Sequence, residues 1–273
     1  MADTKTRKKT NKRRRSASRA PALSQFHRAL LDRMPPFYQK HRTLILDFVR
    51  PALIALVILI LFLSLHHTNS MQNYGIDVSE YQGKIEWSEV ADSGVSFAII
   101  RCGFSSYEDG EIHKDDTFKR NMRWARFYAV HRGVYFRSNA VTEEEAVEEA
   151  EFVLDCVGHA KLDYPIFIDV EDSNTESSGR ADGLTVEERT AVVKAFCSTI
   201  EEAGYDAGVY SNAWYLANMV DPTELADYAF WVAEYVDGST LSTWTGDWTL
   251  WQYTQEGEVD GIDGYVDLDR YPT

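Results

Sequence analysis

Tyr164-Pro165-Ile166-Phe167-Ile168-Asp169-Val170-Glu171-Asp172 is an apolar, β-forming run that ends abruptly in three carboxylates. In an extended chain Asp169 and Glu171 leave from the same face, with Cβ atoms roughly 6.5 to 7 Å apart. Two carboxylates that close resist being ionised together, so one is expected to keep its proton near neutral pH. A paired acid and anion at the mouth of a buried strand is what hydrolysis of a glycosidic bond requires. By spacing alone the same stretch reads equally well as a strand that leaves the core into a solvated acidic loop.

On both sides of this stretch, from about Asn73 onward, short β-rich runs alternate with helical patterns. Strands are predicted over Tyr74–Ser79, Phe97–Phe104, Val134–Ser138, Pro165–Glu171, Gly208–Ser211, Phe230–Tyr235, Leu250–Thr254 and Tyr265–Leu268. Helices are predicted over Asp116–Tyr128, over Thr142–Val157 and over Thr185–Ala203. The second opens on Thr142-Glu143-Glu144-Glu145, and the third on Thr185-Val186-Glu187-Glu188 before stopping at Gly204, both capping-box openings. Asn212–Asp227 and Asp237–Asp247 read as loop-like. Such alternation implies one α/β domain with a parallel sheet, doubly wound or closed as a barrel. No Gly-rich phosphate loop follows the first strand, which removes the dinucleotide-binding fingerprint. Carboxylates recur where strands end: Asp77 in the first, Asp169 and Glu171 in the fourth, Asp267 in the last. In a barrel the first and last strands are neighbours and all strand C-termini open on one face, so these four carboxylates converge.

The 273 residues are 44% hydrophobic and 13% aromatic, ample for a sizeable core, but the charge is unevenly spread. Residues 1–50 hold 14 Lys and Arg against Asp3, Asp32 and Asp47, a net of +11; the rest carries −26, and the whole chain −15. Between them Pro51–Leu65 is fifteen residues without a charge, covering about 22 Å of a roughly 30 Å hydrocarbon core. Extension back to Thr43 gives a workable span, and the basic flank keeps the N-terminus in the cytoplasm. The expected organisation is a disordered basic leader (1–42), a transmembrane signal anchor (43–67), a short linker (68–73) and an external domain (74–273). A cleaved signal peptide is the competing expectation, against which stand the long leader and the lack of an Ala-x-Ala-like site after the apolar run. The basic leader is a topology determinant that touches anionic lipid; without interleaved aromatics it does not read as a nucleic-acid arm. Cys102, Cys156 and Cys197 are odd in number and widely spaced, and are expected as buried free thiols. The seven His show no metal-like spacing, so neither metal nor cofactor is expected.

Gly75-Ile76-Asp77-Val78-Ser79-Glu80-Tyr81-Gln82-Gly83, followed by Ile85-Glu86-Trp87, resembles the opening of family 25 glycoside hydrolases, the cellosyl- and Chalaropsis-type lysozymes. Further blocks follow in order: Phe97–Arg101, Gly133-Val134-Tyr135, Asp169-Val170-Glu171, Gly208–Ser211, Trp231–Tyr235, Trp251-Gln252-Tyr253 and Gly261–Asp267. The resemblance covers residues 74–270. It implies a flattened, irregular β/α barrel of the TIM-like kind and an N-acetylmuramidase that cuts the β-1,4 bond between N-acetylmuramic acid and N-acetylglucosamine in peptidoglycan. Glu171 is then the general acid, Asp169 its partner, and Asp77 and Asp267 the outer acidic members. Tyr135, Tyr210, Trp231, Tyr235 and Trp251, with Gln252, are the candidate sugar contacts, Tyr135 and Trp251 foremost; for any one of them core packing is the competing role. Arg101 ends a hydrophobic strand and needs a carboxylate partner, for which Asp77 or Asp169 would serve. Asp172, Asp260, Asp263 and Asp269 read as loop and turn residues. Two departures stand out: Arg137 where a second aromatic is common, and Ala129–Arg132 in place of a glycine-containing approach. A non-catalytic wall-binding module, or a hydrolase of another N-acetylated glycan such as chitin, are the alternatives. The external domain is expected to act as a monomer at the cell membrane.

Overall fold

The computed structural model of the protein describes Pro36, His41 and residues 51–58, 74–173, 178–237 and 240–272. The chain divides into two compact units, Met1–His66 and His67–Thr273. In the first, residues 51–58 are helical and their side chains are exposed. Apart from these, the expected leader, the anchor and the linker over 68–73 lie outside the described residues, Pro36 and His41 excepted. Among the described residues no helix is long and apolar enough to cross a membrane.

The second unit is built on one sheet. Its strands are β1 (Tyr74–Val78), β2 (Phe97–Ser105), β3 (Ile112–Lys114), β4 (His131–Arg137), β5 (Ile166–Asp169), β6 (Ala207–Asn212), β7 (Ala229–Ala233), β8 (Leu250–Gly257) and β9 (Val266–Arg270). The order runs β1-β9-β8-β7-β6-β5-β4-β2, and β2 pairs back onto β1, which closes an eight-stranded barrel. β3 hangs antiparallel on β2 outside the ring. Every predicted strand is present, but the sheet is not wholly parallel: β9 runs antiparallel to both β8 and β1. The barrel is therefore closed by a strand that returns from the mouth toward the base.

Helices α1 (Trp87–Asp92), α2 (Phe118–Phe127), α3 (Glu143–Val157), α4 (Val186–Glu202) and α5 (Ala213–Asn218) fill the connections. Both threonines cap as read, but only one box closes: Thr185 exchanges bonds with Glu188, whereas Thr142 accepts from the Glu145 N–H and the Glu145 carboxylate accepts from the Val141 N–H instead. The stretch after Asn212, expected as loop, starts instead with α5, whose first turn the Asn212 side chain caps through the Tyr215 N–H at 2.9 Å. All three cysteines are free thiols, Cys102 and Cys197 buried and Cys156 half-buried.

Strand alternation divides the core in two. Ile76, Ile100, Val134, Ile168, Val209 and Val232 face outward into the layer shared with the helices. Phe97, Ile99, Phe167, Tyr210, Trp231 and Leu250 face the barrel axis. Glycines on the inner face make room for the large rings. A Cβ at Gly75 would lie 2.3 Å from the Phe97 ring, and one at Gly208 2.5 Å from Phe167. This small-against-large packing plugs the base of the barrel. The next inward positions up the strands are polar and form the mouth.

Candidate active site

Asp77 is two residues above Gly75 on β1, Asp169 two above Phe167 on β5, and Gln252 two above Leu250 on β8, so each points inward just over the apolar plug. Asp267 reaches the same mouth by a different route. It lies near the start of β9, not at the end of a parallel strand, and is paired in register with Asp77. Its place among the four carboxylates follows from the antiparallel course of β9. The expected strand through Glu171 stops at Asp169, and Glu171 sits one turn of alternation beyond, on the rim.

The mouth opens into a cleft of about 690 Å³ that Asp77, Asp169, Glu171 and Asp267 all line, with Tyr135, Tyr210, Trp231, Tyr235, Gln252 and Arg101. Gln252 is held by three bonds. Its Oε1 accepts from the Tyr210 hydroxyl at 2.9 Å and the Tyr235 hydroxyl at 2.7 Å, and its Nε2 donates to Asp77 Oδ2 at 2.7 Å. Two phenols on the oxygen leave only the amide hydrogens for the carboxylate, so the orientation is fixed.

Burial pushes the Asp77 carboxyl well above the usual carboxylate range, and the neighbouring Asp267 and Asp269 push it further. Asp267 rises to about 6, chiefly through burial. Asp169 is pushed up to about 8; burial is the main cause, opposed by Arg137 and reinforced by Glu171. Its Oδ1 is buried and has no hydrogen-bond partner among the described residues. Glu171, by contrast, is partly open and ion-paired with Arg137.

Three expectations need correction. Trp251 does not line the cleft: alternation turns it away from its neighbour Gln252, and it is fully buried. Its indole N–H donates to the Glu234 carbonyl at 2.8 Å, and the Arg270 guanidinium covers its ring. Arg101 pairs with neither Asp77 nor Asp169. Its Nε donates to Asp115 at 3.0 Å and Nη2 to Glu80 at 3.0 Å, beneath the Tyr81 and Phe104 rings. A bulge in β2 between Arg101 and Gly103 brings both Arg101 and Phe104 to the cleft. Asp269, expected in a turn, is wholly buried on the inner face of β9 and accepts from the Trp231 indole at 2.7 Å. Trp231 itself is the floor of the cleft, 1% exposed and packed edge-on to Tyr135 and Phe167.

The open aromatic surface lies elsewhere. Tyr81 is 82% exposed, and with Tyr107 and Tyr235 it gives the rim flat faces of the kind that stack on sugar rings. Tyr81 falls within the quoted opening motif, directly after the strand that carries Asp77. Tyr107 lies in the loop between β2 and β3, where no pattern in the sequence marks it.

The family model described as Glycosyl hydrolases family 25 matches residues 76–262. Lysozyme M1 of Streptomyces globisporus is 30% identical over 206 residues, covering 72% of this chain and 67% of the relative. Among solved structures, the bacterial lysozyme from Streptomyces coelicolor superposes with a TM-score of 0.62 at 28% identity, over 73% of this chain and 92% of that one. The modular autolysin LytC from Streptococcus pneumoniae, solved in complex with a synthetic peptidoglycan ligand, gives a TM-score of 0.63 at 26% identity. The superposition covers 73% of this chain and 46% of the autolysin, so the present chain matches less than half of that protein.

Proposed function

The chain belongs to glycosyl hydrolases family 25, and from that premise we propose an N-acetylmuramidase that cuts the β-1,4 bond between N-acetylmuramic acid and N-acetylglucosamine in peptidoglycan. Glu171 protonates the departing glycosidic oxygen, for which its place on the open rim suits it. Asp169, deeper and on the same side, stabilises the positive charge that develops at the anomeric carbon. Asp77 and Asp267 hold the sugar's polar groups from the opposite wall, with Gln252 keeping Asp77 in place. Tyr135, Tyr210 and Tyr235 supply hydroxyls and ring faces to the sugars.

The observation that carries this reading is the convergence of Asp77, Asp169, Glu171 and Asp267, some 190 residues apart in sequence, on one cleft. A pure binding surface gains nothing from gathering mutually repelling acids. The test is digestion of purified peptidoglycan by the full chain. Products should carry reducing N-acetylmuramic ends, and Glu171→Gln should lower kcat by about 10³-fold. Reducing N-acetylglucosamine ends would make the enzyme a glucosaminidase. A silent protein that still pellets with the wall would leave only a binding module.

Residues 43–67 are proposed as a single-pass anchor that leaves the leader in the cytoplasm and the hydrolase outside, facing the wall. The uncharged run Pro51–Leu65, the +11 charge before it and the exposed apolar side chains over 51–58 support this. The chain should then resist carbonate extraction from membranes, and protease added outside intact protoplasts should remove the hydrolase domain. Release of the chain by carbonate would sink the anchor.

A further inference from the structure

Arg137 occupies the position where the resembling family commonly has an aromatic, and alternation along β4 (Gly133, Tyr135, Arg137) aims it into the cleft. It pairs in register with Asp169 across β4 and β5. Its Nη1 bonds to Glu171 Oε2 and lies 3.8 Å from Asp169 Oδ2, while Nη2 donates to the Asp172 carbonyl at 3.3 Å. One guanidinium nitrogen thus stands between both carboxyls of the central pair.

This arrangement is wrong for the reaction as it stands. A general acid must carry a proton and offer it to the substrate, yet the Glu171 Oε2 is taken up by the Arg137 guanidinium. Asp169, by contrast, is pushed up to about 8 by burial, and one of its oxygens has no partner among the described residues. The reaction needs the reverse distribution. A movement of about 1 Å would bring Nη1 from 3.8 Å to hydrogen-bond distance of Asp169.

We infer that Arg137 is a positioning residue that decides which of the two carboxyls carries the proton: its guanidinium sits on Glu171 in the open cleft and moves onto Asp169 when a glycan binds. The inference rests on the reading of Glu171 as the acid. In the exchange Asp169 releases its proton, Glu171 takes one up, and the guanidinium stays charged, so the net charge of the trio is unchanged. The other groups facing the pair are Tyr135 on β4, Arg101 on β2, Tyr210 on β6, Tyr235 after β7, and Asp77 and Asp267 on β1 and β9. None of them is itself substituted when position 137 alone is changed.

The test is the pH dependence of kcat/KM on peptidoglycan for the full chain and for Arg137→Phe, Arg137→Leu and Arg137→Lys. Freed from the guanidinium, the acid keeps its proton to higher pH, so Phe and Leu should move the alkaline limb up by about one pH unit, at a lower kcat. Lys, which keeps the charge, should leave the limb near its parental place. A merely structural role would lower kcat and move nothing. A limb within about 0.2 unit of the parent in folded Arg137→Phe overturns the inference alone, whereas a parent with no turnover at any pH overturns the muramidase reading with it. Should the Phe and Leu variants fail to fold, carboxyl ¹³C NMR of the parent decides. Asp169 should titrate at least about one unit lower with an N-acetylglucosamine tetramer bound, and an unmoved titration overturns the exchange.

Discussion

Asp269 has no exposed surface; its Oδ1 accepts from the Trp231 indole, and its Oδ2 is buried with no hydrogen-bond partner among the described residues. Burial pushes Asp269 well above the usual carboxylate range, and the neighbouring Asp267 pushes it further, which favours the neutral acid. An amide mimics the neutral acid in size and shape, and its oxygen still accepts from Trp231. Asp269→Asn should therefore change unfolding free energy by less than about 1 kcal/mol. Asp269→Ala strands the indole N–H and should cost about 2 kcal/mol in urea unfolding. Equal losses from both would show that Asp269 is held as an anion. The residue was legible in principle. The alternation that pairs Asp169 with Glu171 also pairs Asp267 with Asp269, but the second Asp lies beyond the quoted motif and next to polar residues that resemble a turn. Trp251 failed for the complementary reason, since a motif carries no face and Gln252 and Trp251 cannot both point into the barrel.

At the scale of the element, the end of α2 shows why glycine is usual in the approach to the next strand. The Ala129 N–H bonds to the Arg126 carbonyl and the Val130 N–H to the Ala125 carbonyl, the paired bonds of a Schellman ending. That ending needs a left-handed residue, and Ala129 supplies it at φ 60°. Ala129→Gly should relieve the clash at an exposed site. The gain is reduced by the greater freedom of glycine in the unfolded chain, for a net stabilisation of about 0.5 kcal/mol. Urea unfolding measures it, and a loss of stability would show that Ala129 sits there without strain. Elements with strong periodicity or a capping signal were read from the sequence, as α3, α4 and the eight barrel strands show. The six-residue helices α1 and α5 span less than two turns and β3 has only three residues, too short to establish a period, and these were missed. Strand direction was equally out of reach. The short stretch between β8 and β9 holds no crossover helix, so β9 returns antiparallel and brings Asp267 to the mouth from its own first residues.

For the molecule as a whole, gathering buried acids at one end of the barrel ties stability to pH. Asp169 rises to about 8, Asp267 to about 6, and Glu149, buried on α3 behind the Ser105 hydroxyl, to about 7. Burial is the main cause in each, and it favours the protonated form. Each therefore binds its proton more tightly folded than unfolded, where Asp and Glu titrate at 3.8 and 4.5. Between those values and the folded ones the native state holds more protons, so stability falls as pH rises. The contribution is complete below about pH 4 and is lost through pH 6 to 8. Carboxylates whose titration is lowered, such as Glu145 under Arg180 and Asp182 under Ser173, act in the opposite sense and weaken the fold only in acid. Maximum stability is thus expected near pH 5. All seven tryptophans lie between residues 87 and 251, so their fluorescence reports the barrel without interference from the leader. The Tm read from it should fall by roughly 5 °C or more from pH 5 to pH 8.5. Glu149→Gln, which removes one titration away from the central pair, should make that fall shallower. A Tm that is flat or rises over the same range would mean that the buried acids are ionised in the folded barrel, with their charges balanced by neighbours.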